Sequence, residues 1–254
     1  MRGLRKTWPP SNVRPEGQEA CSFTDAEQAY LDELARRPVE DRTHCARTHF
    51  NDLDKAKLRE VMLRDQRYLC VYCERPLTSS PTPRIDHWRP LRLNHRLALH
   101  WKNLYLSCAT PETCDIAKGG RALRWADTDP DLPWPIDFDF ERYVGFTSGG
   151  KMYVRNDVTM DDATRRALAV AIDEQKDGTR TIPAVVRLND PALVAARAAA
   201  IDSERTRLQR RFRDTTASRG EREEIASEML VAERLPDFVS IRVAWLRKML
   251  GTGR

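Results

Sequence analysis

The chain has 254 residues, with 43 Lys and Arg against 38 Asp and Glu, and a formal net charge of +5. Hydrophobic residues make up 41% and charged residues 32%, which is enough apolar content for a folded core and too polar for a bilayer protein. The sequence contains no apolar run of the roughly 18 residues that a membrane span needs, and the basic N-terminus has no apolar segment behind it. We therefore expect a cytoplasmic protein with no signal peptide and no membrane partner.

The first 60 residues predict an extended arm followed by helices. Prolines interrupt residues 1–20, and residues 24–27 fit a capping box that opens a helix ending before Pro38. A second helix is predicted from about residue 51 to residue 67. It leads directly to Cys70.

The positive charge is concentrated in residues 61–125, which hold 11 Lys and Arg against 5 Asp and Glu. The segments on either side are close to neutral. A small and strongly basic segment favours a nucleic-acid-binding site. A solvated basic face is the other interpretation of the charge.

The same segment holds four clustered cysteines: Cys70, Cys73, Cys108 and Cys114. Structural zinc prefers four soft ligands supplied as two close pairs, and a reducing cytosol disfavours disulfides. The first pair is C-x-x-C, whereas five residues separate the second pair, so the chain must double back between them. We predict a Zn(Cys)4 site, the alternative being four unrelated buried thiols. Cys21 and Cys45 have no partner at a recognisable spacing and are predicted to be ordinary thiols.

Between the two pairs lie D-H-x-x-P at 86–90 and W-x-N-L at 101–104. A strand that ends near Asp86 and His87 would place a hard oxygen ligand beside an imidazole that can accept a proton near neutral pH. Asn103, reached across a short hairpin, could orient that imidazole through its carbonyl oxygen. These residue types suit phosphodiester hydrolysis, in which a base activates water and a cation balances the charge on phosphate. A polar surface pair and a turn residue are the plainer interpretations.

The remaining elements are read from periodicity and turn residues. A short strand at 104–106 and a helix beginning at Asp115 complete a ββα outline. A hairpin is predicted around 147–151, and helices are predicted at 161–178, 190–213, 221–234 and 237–250. The arginines of 205–213 indicate a solvated helix face.

At this point the sequence resembles the HNH endonuclease family, with its ββα-metal fold. The matching elements are C-x-x-C, D-H-x-x-P, W-x-N-L and C-D-x-x-K-G at 114–119. The resemblance implies that His87 is the general base and that Asn103 is the middle HNH residue. It also implies that Asp86 and Asp115 bind a catalytic Mg(II) or Mn(II), although Asp115 stands where the family usually has His or Asn. Arg89 and Lys118 are the implied nucleic-acid contacts.

A narrower resemblance extends over nearly the whole chain. The N-terminal arm, the hairpin after Phe138 and the helical tail with Leu188 and Asn189 are similar to the HNH component of Septu and retron-associated anti-phage systems. That resemblance implies a partner ATPase with an ABC-like head. The chain itself has no Gly-rich phosphate loop, so ATP hydrolysis would belong to the partner.

Together these observations predict an α+β protein that is mainly helical, with a central ββα-metal module stabilised by the Zn(Cys)4 site. The expected segments are an N-terminal arm with helices at 1–60, the nuclease module at 61–125, and a hairpin with a helical domain at 126–254. The expected activity is metal-dependent cleavage of DNA. RNA cleavage, a non-catalytic zinc-stabilised nucleic-acid-binding module and a stand-alone restriction-type enzyme are the alternatives. His95 and His100 are expected to be loop residues.

Overall fold

Helices predominate in the computed structural model, which describes residues 4, 6–78, 81–124, 126–127, 129–212 and 217–248. The helices are α1 (Phe23–Arg36), α2 (Arg42–Asn51), α3 (Lys55–Asp65), α4 (Cys114–Lys118), α5 (Phe140–Tyr143), α6 (Asp162–Ile172), α7 (Pro191–Arg211), α8 (Arg219–Val231) and α9 (Val239–Lys248). The mixed α+β class predicted from the sequence is confirmed.

The strands of the described residues pair as short antiparallel hairpins. They are β1 (Arg84–His87) with β2 (Leu104–Ser107), β3 (Val144–Phe146) with β4 (Met152–Val154), and β5 (Gln175–Asp177) with β6 (Arg180–Ile182). The predicted strand at 104–106 and the predicted hairpin around 147–151 are confirmed as β2 and β3–β4.

Side-chain caps explain where several helices begin. Ser22 accepts a hydrogen bond from the Asp25 amide, so α1 begins one residue before the predicted capping box, and Phe23 is its first residue rather than a staple. Asp190 caps α7 immediately before Pro191, as its sequence predicts. Ser218 and Glu221 form a reciprocal capping box at the start of α8.

Two helix predictions are wrong in extent. The predicted helix at 51–67 corresponds to α3, which begins only at Lys55, after its cap Asp54, and ends at Asp65. The preceding helix α2 was not predicted from the sequence. The predicted helix at 161–178 ends at Ile172. The chain then turns at Gly178, whose φ of +58° suits the tight hairpin β5–β6. The last residues of the predicted helices at 190–213 and 237–250 lie outside the described residues. So does Trp125, the far end of the helix predicted to begin at Asp115, and the helix observed there, α4, ends at Lys118.

Buried aromatic rings link the central hairpin to its surroundings. Trp88 stacks on Tyr72 with ring centroids 5.4 Å apart, and it meets Tyr105 and Phe140 edge-on. The largest cluster of buried apolar side chains runs from Val13 to Ile241 and draws on all three segments expected from the sequence. A smaller cluster joins α8 and α9. The segment boundaries themselves remain a prediction.

None of the helices in the described part of the chain has both the length and the apolar character required to cross a membrane.

Candidate metal centre and active site

The hairpin β1–β2 and the short helix α4 bring the predicted site residues together. In the antiparallel register, Asp86 lies opposite Tyr105 and His87 lies opposite Leu104. Strand β1 ends at His87, as the sequence predicts. The alternation of side chains between the two faces of a strand therefore need not separate Asp86 from His87. Helix α4 follows after a loop and begins at Cys114.

The four cysteines form a single buried cluster. Each of Cys70, Cys73, Cys108 and Cys114 is less than a tenth exposed, and their sulfur atoms all lie within 4.8 Å of one another. The Sγ atoms of Cys73 and Cys108 are 3.7 Å apart. Tetrahedral zinc with Zn–S bonds of about 2.3 Å separates its sulfur ligands by about 3.8 Å. The donor set and its spacing therefore fit a structural zinc ion, and the predicted clustering is confirmed.

Backbone conformation accounts for the unequal spacing of the two pairs. Glu112 and Cys114 both have positive φ angles, +60° and +56°, and these turns return the chain across the five intervening residues. Such angles are uncommon outside glycine, at a cost of about 1 kcal/mol or more each. The Cys114 amide donates to the Val186 carbonyl at 2.9 Å, so the segment that precedes α7 holds this turn in place.

The thiols also act on one another. Hydrogen bonds from Cys114, Cys70 and Cys73 hold the pKa of the Cys108 thiol far below its usual range. The Cys70 sulfur accepts from the Cys108 amide at 3.3 Å. A cluster that stabilises a thiolate in a buried place is suited to a cation, because thiolate is the form that binds metal.

His87 is oriented by the backbone. Its Nε2 lies 2.9 Å from the Ala98 carbonyl oxygen, and its ring meets Phe50 edge-on at 4.7 Å. A carbonyl oxygen only accepts, so Nε2 carries the proton and Nδ1 keeps its lone pair. Burial lowers the pKa of His87 to about 4. The imidazole is therefore neutral at pH 7 and able to accept a proton.

Asp86 is engaged through one carboxylate oxygen. Its Oδ2 accepts from the Tyr72 hydroxyl at 2.5 Å and from the Lys118 ammonium at 2.7 Å. Lys118 is almost fully buried and also donates to the His87 carbonyl. The structure therefore places Lys118, at the C-terminal end of α4, in an ion pair with Asp86, and its contact with phosphate remains a prediction.

Asp115 lies in the first turn of α4 beside Asp86. Burial, followed by the negative charge of Asp86, raises the pKa of Asp115 to about 6. Arg84 at the start of β1 donates to its Oδ2, and the Asp115 amide donates to Ser107. Two close carboxylates are a ligand set that suits a hard cation. Both predicted ligands are therefore brought together, and the binding of an ion there remains a prediction.

The Asn103 side chain bonds to the backbone, where the sequence predicted a contact with His87. It is fully buried; its Oδ1 accepts from the Arg89 amide at 2.6 Å, and its Nδ2 donates to the carbonyls of Arg89 and Leu97. The imidazole of His87 is held by Ala98 instead. Asn103 thus fixes the loop that follows β1, because a buried amide can satisfy several backbone groups at once.

Arg89 does not present a free guanidinium. Its side chain is 13% exposed, pairs with Asp131 at 3.3 Å and lies over the Trp134 ring. Its contact with nucleic acid remains a prediction. His95 bonds to Thr43, and His100 lies 3.4 Å from Glu27. His95 begins a short 3-10 helix (His95–Leu97) rather than lying in a loop, whereas His100 lies in the loop just before the next 3-10 turn, Trp101–Asn103.

Sequence reasoning missed three polar residues around the hairpin: Gln66 and Tyr72 are buried, and Lys6 is half-buried. Gln66 bridges the backbone of Leu69 and Leu106, and Tyr72 bonds to Asp86. Lys6 donates to the backbone carbonyls of Trp101 and Leu104, with its ammonium 4.2 Å from the Trp101 ring centroid. Their partners are distant in sequence, so no local pattern could have identified them.

A scan against models of known protein families found no match to this chain, and a search of curated proteins found no significant relative.

Proposed function

We propose that the protein is a metal-dependent endonuclease that hydrolyses phosphodiester bonds in nucleic acid, with DNA as the first substrate. The observation that carries this proposal is the grouping of His87, Asp86 and Asp115 on β1 and α4, next to the four-cysteine cluster. The class that accounts for this grouping is the ββα-metal nucleases. Within it, we propose the HNH component of a Septu-like or retron-associated anti-phage system, working with an ATPase partner, on the strength of the sequence resemblance.

In this mechanism His87 is the general base. Nδ1 takes a proton from water while Nε2–H stays bonded to Ala98, and the water oxygen attacks phosphorus as the bond to the leaving oxygen breaks. The leaving oxygen takes a proton from solvent. Phe50 and the backbone contact keep the ring in place, which is a positioning effect that general-base catalysis requires.

Asp86 and Asp115 would hold the catalytic Mg(II) or Mn(II). When bound, the ion neutralises charge on the scissile phosphate and on the leaving oxygen. Because Oδ2 of Asp86 already accepts two hydrogen bonds, its other oxygen is the one left for an ion. Two protein carboxylates are a common number for Mg(II), which keeps several waters and binds substrate phosphate.

The test is a cleavage assay on plasmid DNA and total RNA, with Mg(II) or Mn(II) and with EDTA. We expect His87→Ala to reduce metal-dependent cleavage by roughly 100-fold or more, the usual contribution of a general base. His95→Ala is the matched control, since that histidine bonds to Thr43 instead. Equal cleavage by wild type and His87→Ala would contradict the mechanism. Cleavage of RNA alone would identify RNA as the substrate and would leave the proposed hydrolytic mechanism in place.

One observation favours a second candidate, a zinc-stabilised module that binds nucleic acid without cutting it. Asp86 is already satisfied by Tyr72 and Lys118, as a purely structural carboxylate would be. Binding without cleavage in Mg(II), Mn(II) and Ni(II), with zinc present, would support this candidate. A neighbouring gene for an ABC-like ATPase would support the defence assignment, and a neighbouring methyltransferase gene would contradict it.

A further inference from the structure

A second group of potential metal ligands lies away from the four cysteines, between α1 and α2. Glu33 comes from α1, and Cys45 and His49 come from α2. One ligand atom from each residue lies within 4.8 Å of the other two. Cys45 and His49 are four residues apart on one helix, so they share a face that is turned toward Glu33.

The contacts within this group are close. The Oε2 atom of Glu33 is 2.8 Å from Nε2 of His49, and its Oε1 atom is 3.8 Å from Sγ of Cys45. Cys45 is 4% exposed, whereas the side chains of His49 and Glu33 are 22% and 33% exposed. The group therefore has a buried thiol at its base and is reachable from solvent at its rim.

We propose that Glu33, Cys45 and His49 form a second metal site that binds Zn(II) with three protein ligands and a water in the fourth position. Sulfur, imidazole nitrogen and carboxylate oxygen are all zinc ligands, and three protein ligands with an open position is an established arrangement for this ion. On binding, the Cys45 thiol loses its proton to solvent, and the His49 imidazole binds as its neutral tautomer, with its one proton on Nδ1 and the lone pair of Nε2 on zinc. No oxidant or reductant is needed.

Arg37 bonds to one oxygen of the Glu33 carboxylate and leaves the other for the metal ion. Its Nη2 donates to Oε1 of Glu33 at 2.6 Å, and half of its side chain is exposed. Zinc bound through Oε2 leaves that hydrogen bond intact, so the guanidinium acts as an outer partner that orients the ligand. The negative charges of Glu33 and the Cys45 thiolate balance the two charges of the ion.

The site would join two helices close to the candidate active site. His49 precedes Phe50, whose ring meets His87, and the Tyr30 ring of α1 lies 5.3 Å from the His49 ring. Zinc at this position would fix α2 against α1 and so hold Phe50 in place. The proposal does not depend on nuclease activity, because it is argued from the ligand atoms alone.

The experiment measures zinc per chain after equilibrium dialysis of the full-length protein against excess zinc, by elemental analysis. We expect Cys45→Ala to bind one zinc ion fewer than wild type, and Cys21→Ala, a half-buried thiol outside both groups, to match wild type. The difference between variants is the criterion, so the result holds whatever the four-cysteine cluster binds. After cobalt loading, the thiolate-to-metal absorption should fall in Cys45→Ala and not in Cys21→Ala.

His49→Gln keeps most of the side-chain volume and removes the imidazole, so it covers the case in which Cys45→Ala fails to fold. We expect it to lose the same single ion with an unchanged far-UV circular dichroism spectrum. A wild-type zinc count in folded His49→Gln would overturn the proposal. So would an equal loss of zinc in Cys45→Ala and Cys21→Ala.

Discussion

At the scale of single residues, the role of each side chain in the candidate site depends on which of its polar atoms is already hydrogen-bonded. His87 is a neutral imidazole with one nitrogen tied to Ala98, and Asp86 is a carboxylate with one oxygen tied to Tyr72 and Lys118. In each case one atom is held by the protein, and the proposed mechanism uses the other. This division is the usual way in which a rigid site orients a reactive group.

Asn103 provides a residue-scale prediction. We expect Asn103→Ala to lower the free energy of unfolding by about 2–3 kcal/mol, because it removes the side-chain partner of the Arg89 amide and carbonyl and one of the two donors to the Leu97 carbonyl. Urea denaturation measures this loss. Asn94→Ala is the control, since the Asn94 side chain donates to the Pro90 carbonyl at a long 3.4 Å. Unchanged stability with abolished cleavage would instead place Asn103 in the catalytic machinery.

At the scale of elements, the four-cysteine cluster connects segments that have little regular structure of their own. Cys70 and Cys73 come from a turn before β1, Cys108 follows β2, and Cys114 begins α4. Strands of four residues and a helix of five residues are too short to be stable alone. A zinc ion at their junction would therefore stabilise the whole arrangement of hairpin and helix.

The element-scale prediction concerns Cys70→Ser. We expect this variant to lose the zinc of the four-cysteine cluster and to melt at a lower temperature than wild type, because metal-binding free energy is folding free energy. Zinc analysis and differential scanning calorimetry measure the two effects on the same sample. Cys21→Ser should change neither quantity. Retained zinc with unchanged melting in Cys70→Ser would mean that the ligands are wrongly assigned.

At the scale of the whole molecule, arginines from distant segments meet in one open cleft of about 570 Å³. Arg92 comes from the loop after β1, Arg121 and Arg124 follow α4, and Arg180 begins β6. The carboxylates of Asp127 and Asp177 also line the cleft and offset part of this charge. Arg92 donates to the Gly120 carbonyl, so the cleft adjoins the end of the helix that carries Asp115. A cleft lined by several arginines could accept a phosphate backbone, which the following prediction tests.

The whole-molecule prediction is a change in salt dependence. We expect Arg92→Ala and Arg180→Ala each to weaken DNA binding by a similar factor whatever the DNA sequence. Each should also reduce the slope of the logarithm of the binding constant against the logarithm of salt concentration by about 1, the contribution of one phosphate contact. Fluorescence anisotropy across a salt series measures this. Arg64→Ala on α3 is the control, because Arg64 is exposed and pairs with Glu60. Slopes equal to wild type in both cleft variants would exclude the cleft as a nucleic-acid path.

The sequence by itself determined what depends on neighbours along the chain. Proline positions, capping residues and alternating apolar residues predicted most helices and the strands β2, β3 and β4, because these signals act within a few residues. The C-x-x-C spacing and the run from Asp86 to Pro90 likewise identified the residues of the candidate site. Helix α2 was missed, and the start of α3 was predicted near residue 51, ahead of its actual cap at Asp54.

Only the tertiary structure decided which distant groups meet. Lys118 lies against Asp86, Asn103 bonds to the loop rather than to His87, and Glu33 lies beside His49. Each of these contacts joins residues brought together by burial of the aromatic and aliphatic core. A buried charge or amide must find a partner wherever packing places one, and that position is not encoded by spacing along the chain.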